Sequence, residues 1–160
     1  MMTTNLIGLD QQGATQLATN LNQLLANYQV LYMNVRGFHW NVRGANFFEL
    51  HAKFEEIYDQ LLLKVDELAE RILTLGGEPL HGFSDYLVLA QIAESKDVSD
   101  GHVAIEHILA AYQLLLTQQR RLLAQAGELG DEGTAALLGD YVSQQEKEIW
   151  MLAAYQGRRA

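Results

Sequence analysis

The sequence predicts an all-α fold: a bundle of four long helices, with a short extra helix in the long connection between the second and the third. Three observations lead there. Apolar residues recur at three- and four-residue steps over four long stretches, the period of a helix face and not the two-residue period of a strand. The 160 residues contain a single proline, Pro79, so nothing breaks those stretches from within. Apolar residues make up 49% of a chain that is long enough for one core and too short to favour two domains.

Residues 1–12 read as a short polar N-terminal tail, 13–157 as the helical domain and 158–160 as a C-terminal tail. The first helix runs from about Ala14 to Val42, with Leu17, Leu21, Leu24, Tyr28, Leu31, Val35 and His39 on its inner stripe. Gly37 weakens its last turns by about 0.5 to 1 kcal/mol relative to alanine, so that end needs outside support. Arg43-Gly44 stops it, Gly44 suiting the C′ position where a positive φ is wanted.

Asn46 caps the second helix, with Glu49 three residues on in the capping-box position. Its apolar positions are Phe47, Leu50, Phe54, Ile57, Leu61, Val65, Leu68, Ile72 and Leu75, and Gly76-Gly77 with Pro79 ends it. The connection from about Glu78 to Ser99 is long for a bundle and carries a short helix over Ser84 to Ala93. A third helix follows from about Asp100 to Ala126, and a fourth from its N-cap Asp131 to about Gln156.

Composition narrows the function. With 11 basic residues against 20 acidic ones the net charge is −9, which opposes general affinity for nucleic acid and favours cations as partners. The absence of cysteine removes disulfides and thiolate metal sites, leaving imidazole and carboxylate as the metal ligands available. No run approaches the roughly 20 apolar residues of a membrane span, and the start has no basic, apolar leader; a soluble cytoplasmic protein with no membrane partner is expected.

The chemistry gathers on the second helix. His51 and Glu55 are four apart, as are Asp66 and Glu70, so each pair shares a face. Singly, such pairs are commonly a solvated face, and Lys64 and Arg71 stand near enough to neutralise the second. Jointly they look like two halves of a metal site. The fifteen residues from His51 to Asp66 span about 22 Å of helix, while ligands to one ion lie within about 2 to 2.3 Å of it, so the halves cannot share an ion within one chain. A second copy running antiparallel brings His51 and Glu55 of one subunit against the acidic pair of the other, giving two equivalent sites per dimer. His39, near the end of the first helix, adds an imidazole. Nitrogen and oxygen donors of this kind suit iron, and zinc or manganese could substitute.

His39-Trp40-Asn41, Arg43-Gly44-Ala45-Asn46-Phe47, His51-x-x-x-Glu55 and Val65-Asp66-x-x-x-Glu70-Arg71, followed by Leu75-Gly76-Gly77, resemble the active stretch of the Dps family, the mini-ferritins named as DNA-binding proteins from starved cells. Four helices with one long middle connection fit the ferritin-like fold of that family. The resemblance implies that His39, His51 and Glu55 of one subunit, with Asp66 and Glu70 of its neighbour, form an intersubunit ferroxidase centre. Position 55 is Asp in some relatives, which leaves Glu55 as a ligand to a second metal or as a support behind the ligands. Trp40 resembles the family's tryptophan beside the centre, which intercepts oxidising equivalents; its plainer reading is an aromatic anchor.

The implied function is an oxidoreductase acting on metal ions. Ferrous iron is oxidised by hydrogen peroxide or oxygen, ferric mineral is kept inside a hollow twelve-subunit homo-oligomer, and the cell is protected against oxidative stress. Glu128, Asp131, Glu132 and Asp140 cluster around the start of the fourth helix, near where relatives place acidic three-fold pores. The larger ferritins use Glu-x-x-His inside one bundle; the match here, Glu78 to His81, contains a proline and falls in a loop. His81, His102 and His107 read as surface or interface residues, His102 with Glu106 as a spot for an adventitious ion, and Trp150 as packing.

A DNA-condensing protein with secondary iron chemistry is the rival. Residues 1–12 carry no Lys or Arg, and twelve chains of −9 would give a shell about −108 formal charges, so direct DNA binding is not expected. A plain helical oligomer with a zinc ion at its seam is the third reading.

Overall fold

A computed structural model describes residues 3–160. Five helices follow one another: α1 (Gln11–Asn41), α2 (Phe47–Thr74), α3 (Phe83–Leu89), α4 (Gly101–Leu129) and α5 (Glu132–Tyr155). Among the described residues there is no strand, only isolated bridges pairing Thr4 with Asp10 and Arg43 with Asp100. The all-α bundle of four long helices with a short fifth in the long connection is therefore the fold. α1 packs on α2 and α4, α5 packs on α4, and α3 lies across α1.

The inner stripes meet in one core. Leu17, Leu21, Leu24 and Leu31 of α1, Phe54, Ile57, Leu61, Leu68 and Ile72 of α2, Ile105, Ile108 and Leu115 of α4, and Leu138 of α5 are at most 2% exposed. Each such side chain contributes about 1.5 to 3 kcal/mol by leaving water.

Three helices start on an aspartate. Asp10, Asp100 and Asp131 accept from the backbone N–H groups of Gly13, Val103 and Thr134 at 2.8, 2.9 and 3.0 Å. α2 does not start this way. Asn46 sits at φ −103°, ψ 26°, too close to helical for its side chain to reach back over the first turn, and makes no cap bond. Glu49 closes no capping box either; it accepts from the Tyr155 hydroxyl at 3.2 Å.

Helix ends follow glycine chemistry at Gly76 and Gly130, whose φ values are +88° and +73°. α1 ends differently from the expectation. Val42 is its cap, in an extended conformation, and the Arg43 N–H donates to Ser99 at 2.9 Å, so the positive φ of Gly44, +116°, serves the turn beyond the cap and not the C′ position. That turn lays α2 back along α1.

α3 is shorter than the 84–93 expected, because the chain after it is held extended by α1. Asn27 accepts from the N–H groups of Gln91 and Ile92 at 2.8 and 3.0 Å, and Asn34 donates to Ala93 and accepts from Ser95, both at 2.9 Å. Of the lead, residues 1 and 2 lie outside the described residues. Residues 3–10 form a turn around Asn5, whose side chain accepts from Ile7 and Leu9 and donates to the Leu75 carbonyl.

The middle of the bundle is a closed polar ring. The Tyr28 hydroxyl donates to Gln119 at 2.6 Å, Gln119 donates to Gln145 at 2.8 Å, and Gln145 donates back to Tyr28. Burial pushes the Tyr28 phenol far above its ordinary value. Amides and a protonated phenol bonded to one another leave no donor set for a metal there, and the Glu78–His81 segment lies between α2 and α3, outside the bundle interior.

Candidate metal centre

The turn at 42–46 sets the last turn of α1 against the second turn of α2, and two histidines meet there. His39 Nδ1 lies 2.7 Å from the carbonyl oxygen of His51, and His51 Nδ1 lies 2.8 Å from the carbonyl oxygen of His39. A carbonyl only accepts, so each Nδ1 carries the proton and each Nε2 of the neutral ring keeps its lone pair for a ligand. The rings stack at 3.8 Å, 16° from parallel. Phe47 covers His51 at 5.0 Å, and Tyr58 meets His39 edge-on at 5.2 Å. This pairing also supplies the support that Gly37 requires, and a Cβ at Gly37 would meet open space.

Glu55 lies one turn beyond His51, exposed, with the Tyr58 hydroxyl 3.4 Å from one carboxylate oxygen. Asp66 and Glu70 are exposed farther along α2. The cations expected to neutralise them point elsewhere. Lys64 donates to Gln144 at 2.8 Å and lies over the Tyr141 ring; desolvation lowers its ammonium below the ordinary value, with Glu67 and Glu148 opposing. Arg71 donates to Asp131 at 2.6 Å and to Thr134 at 2.8 Å. Among the described residues, Asp66 and Glu70 have no ion pair. Asp66 borders an open groove of about 610 Å³ walled by Leu25, Leu62, Tyr86 and His81.

Within one chain, no three of the described histidines and carboxylates come close enough to hold an ion. The fold brings His39 and His51 together, keeps Glu55 beside them, and leaves Asp66 about 22 Å and Glu70 about 28 Å farther along the same helix.

The residue type of Arg36 does not mark it as part of the site, although Tyr32, Arg36 and Trp40 stand at four-residue steps on α1. Its guanidinium lies over the rings of Trp40, Tyr58 and Tyr32 at 5.0, 5.7 and 5.8 Å, and donates to the Tyr32 hydroxyl at 2.7 Å. Trp40 itself is 58% exposed. The Tyr58 phenol is raised above its ordinary value, first by desolvation and then by Glu55 and Asp59, with Arg36 opposing.

The acidic group at the start of α5 needs a correction. Asp131 is 3% exposed and its carboxylate is taken up by Arg71, the Thr134 hydroxyl and the Thr134 N–H, so it holds the fold and is not free to line a pore. Glu128, Glu132 and Asp140 are exposed. Trp150 is 57% exposed and is not core packing. Glu106 is bound by Arg158 at 2.7 Å, which takes it from His102; His107 accepts or donates with Ser95 Oγ at 2.8 Å. No helix is long and apolar enough to cross a membrane among the described residues.

Comparison with known proteins gives the family. The ferritin family model, a ferritin-like domain, matches residues 18–159. An uncharacterized protein of Haemophilus influenzae is 51% identical over 153 residues, 96% of each chain. The DNA protection during starvation protein of Porphyromonas gingivalis is 44% identical over 100 residues, 62% of this chain and 63% of that one. A Dps protein from Vibrio cholerae, described as a member of a broad superfamily of ferritin-like diiron-carboxylate proteins, superposes with a TM-score of 0.95 at 58% identity over 98% of both chains. A Dps protein from Bacillus brevis superposes with a TM-score of 0.88 at 35% identity, over 91% of this chain and 97% of that one. This chain belongs to the ferritin-like domain family and, within it, to the Dps proteins.

Proposed function

We propose that this chain is a ferroxidase and iron-storage mini-ferritin, which binds ferrous iron between subunits, oxidises it with hydrogen peroxide and keeps the ferric product inside a twelve-subunit shell. The observation that carries the reading is the complementary state of the two halves. His39 and His51 offer two Nε2 lone pairs freed by their Nδ1 bonds, while Asp66 and Glu70 offer two carboxylates that no cation among the described residues pairs with. Family membership supports it, since the V. cholerae relative is described as ferritin-like and diiron-carboxylate.

In this reading an antiparallel partner completes each site. Iron is held by His39 and His51 of one subunit, with Glu55 beside them, and by Asp66 and Glu70 of the partner subunit. The apolar side chains that α2 and α3 leave uncovered, Leu62, Leu63, Phe83, Leu87 and Val88, are 48 to 88% exposed and suit a second copy seated there. Few protein ligands leave positions on the iron open to peroxide. Two ferrous ions supply two electrons, the O–O bond breaks and, with two protons, two waters form. Glu128, Glu132 and Asp140 remain the proposed cation path.

The test is an anaerobic titration with ferrous iron followed by peroxide, on the wild type and on the double variant His39→Ala, His51→Ala. The wild type saturates and oxidises iron at the site, and the variant loses the fast phase. Equal rates in the two contradict the proposal. Zinc-locked seams would neither consume peroxide nor build brown mineral. DNA condensation is disfavoured by the net charge of −9 and by Arg158 being occupied with Glu106.

A further inference from the structure

Between α1 and α4 runs an open groove of about 630 Å³, and among the described residues no carboxylate lines it. In a chain with 20 acidic residues and a net charge of −9 that sets the groove apart from the surface around it. Its one charged side chain is Arg121, exposed and, among the described residues, without an ion pair. Gln118 stands three residues before Arg121 and Gln125 four after it, so the three share one face of α4 over about 10 Å of helix.

The orientation of Gln118 follows from a chain of bonds. The buried Asn27 accepts through Oδ1 from the backbone N–H groups of Gln91 and Ile92 at 2.8 and 3.0 Å, so the other end of its amide, Nδ2, is the donor. Nδ2 donates to Gln118 Oε1 at 2.8 Å, which leaves the two N–H groups of Gln118 Nε2 for a ligand. Asn20 donates to Gln125 Oε1 at 2.8 Å and leaves the Gln125 donors in the same state. A guanidinium is therefore flanked, one turn away on each side, by amides whose acceptor ends are already taken.

Donors gathered around a single cation select an oxyanion, and a guanidinium fork matches phosphate oxygens in pairs. One cation does not offset a run of phosphates on a chain of this net charge, which disfavours a nucleic-acid strand as the occupant. The rest of the groove suits an uncharged body. Gln23, Gln91 and Gln113 bring amides that both donate and accept, as hydroxyl groups require, and Leu114 and Leu122 give an apolar wall for C–H faces. We propose that this groove binds the phosphate monoester of a sugar or related polyol. The phosphate lies on Arg121 between Gln118 and Gln125, and the hydroxyls meet the remaining amides. The groove is separate from the two histidines and the acidic pair of α2, so this site does not rest on the ferroxidase reading.

The experiment is calorimetric titration of the assembled protein with glycerol monophosphate, ribose monophosphate and inositol monophosphate. The separated halves, inorganic phosphate and the free polyols, are titrated alongside. At least one monophosphate should bind saturably, once per chain, and about tenfold more tightly than either of its halves. Arg121→Gln, at an exposed position, should lose about tenfold in affinity, and Gln118→Met, which removes the oriented donors, severalfold. Arg120→Gln serves as the control for general charge, because Arg120 is the adjacent exposed arginine and is already paired with Glu146 at 2.6 Å; it should leave binding unchanged. Thermal melts of the three variants should match the wild type, since none of these side chains is buried. Absence of saturable binding by all three monophosphates overturns the proposal. So does inorganic phosphate binding as tightly as its esters, equal losses in Arg120→Gln and Arg121→Gln, or a short single-stranded oligothymidylate that binds more tightly than any monophosphate.

Discussion

His39 and His51 are tied to each other's backbone, Nδ1 to carbonyl oxygen, at 2.7 and 2.8 Å. Each residue's carbonyl thereby fixes the other ring's tautomer, and the two bonds close the junction between α1 and α2. Replacing either by alanine removes two things at once, a proposed metal donor and a carbonyl's partner. His51→Ala should cost about 1 to 3 kcal/mol in urea unfolding, because the His39 carbonyl loses its donor in a partly buried site. His51→Gln, which retains a donor, should recover part of the stability and none of the fast ferrous oxidation. Full recovery of oxidation would mean the imidazole is not a ligand.

Asp66 and Glu70 carry the opposite prediction. Two carboxylates four apart on a helix with no cation repel each other slightly, so Asp66→Asn with Glu70→Gln should leave stability unchanged or raise it by a few tenths of a kcal/mol. Ferrous binding should nonetheless be lost in the same titration. A variant that binds iron normally would remove the acidic half from the centre.

Gly133 allows the Arg71 guanidinium to reach Asp131. A Cβ there would lie 2.8 to 3.0 Å from the guanidinium atoms, which are already fixed by Asp131 and Thr134. Gly133→Ala should destabilise by about 1 to 3 kcal/mol, read as a lower urea midpoint at unchanged slope. An unchanged midpoint would show that Arg71 moves freely.

The ring at Tyr28 gives a pH signature. Burial raises the folded-state pKa of the Tyr28 phenol above its ordinary 10.0, so the folded state keeps a proton that the unfolded chain releases. The stability it contributes is full below pH 10.0 and falls as the pH rises beyond it. Tyr28→Phe should cost about 1 to 3 kcal/mol at neutral pH, from the unpaired groups of Gln119 and Gln145, and its stability should decline less steeply on the alkaline side. Parallel alkaline slopes in both proteins would contradict this.

Much of this was legible in the residues. The helical period of the apolar positions placed all four long helices, and the aspartate caps at 100 and 131 and the stop at Gly76-Gly77 followed from local chemistry. Asn46 misled because cap preference assumes an extended backbone, and here the tight turn from Arg43 puts Asn46 near helical angles. The length of α3 was hidden because Asn27 and Asn34, more than fifty residues away, hold the chain after it. The spacing of His39, His51, Asp66 and Glu70 suggests the two half-sites proposed here, but not the reciprocal Nδ1 bonds, which depend on how closely α1 and α2 approach. Asp131 looked like a free carboxylate because its partner, Arg71, is sixty residues distant in sequence.

The division of the centre between subunits is tested most directly by complementation. The double variant His39→Ala, His51→Ala and the double variant Asp66→Asn, Glu70→Gln are each purified, dissociated and reassembled as an equal mixture, with hybrid assemblies verified by mass spectrometry. Each parent alone should be inactive in ferrous oxidation by peroxide. Half of the randomly formed dimers are hybrids with one intact site of two, so the mixture should recover about a quarter of wild-type activity. Verified hybrids with no recovered activity, or full activity in either parent, would contradict a centre shared between two chains.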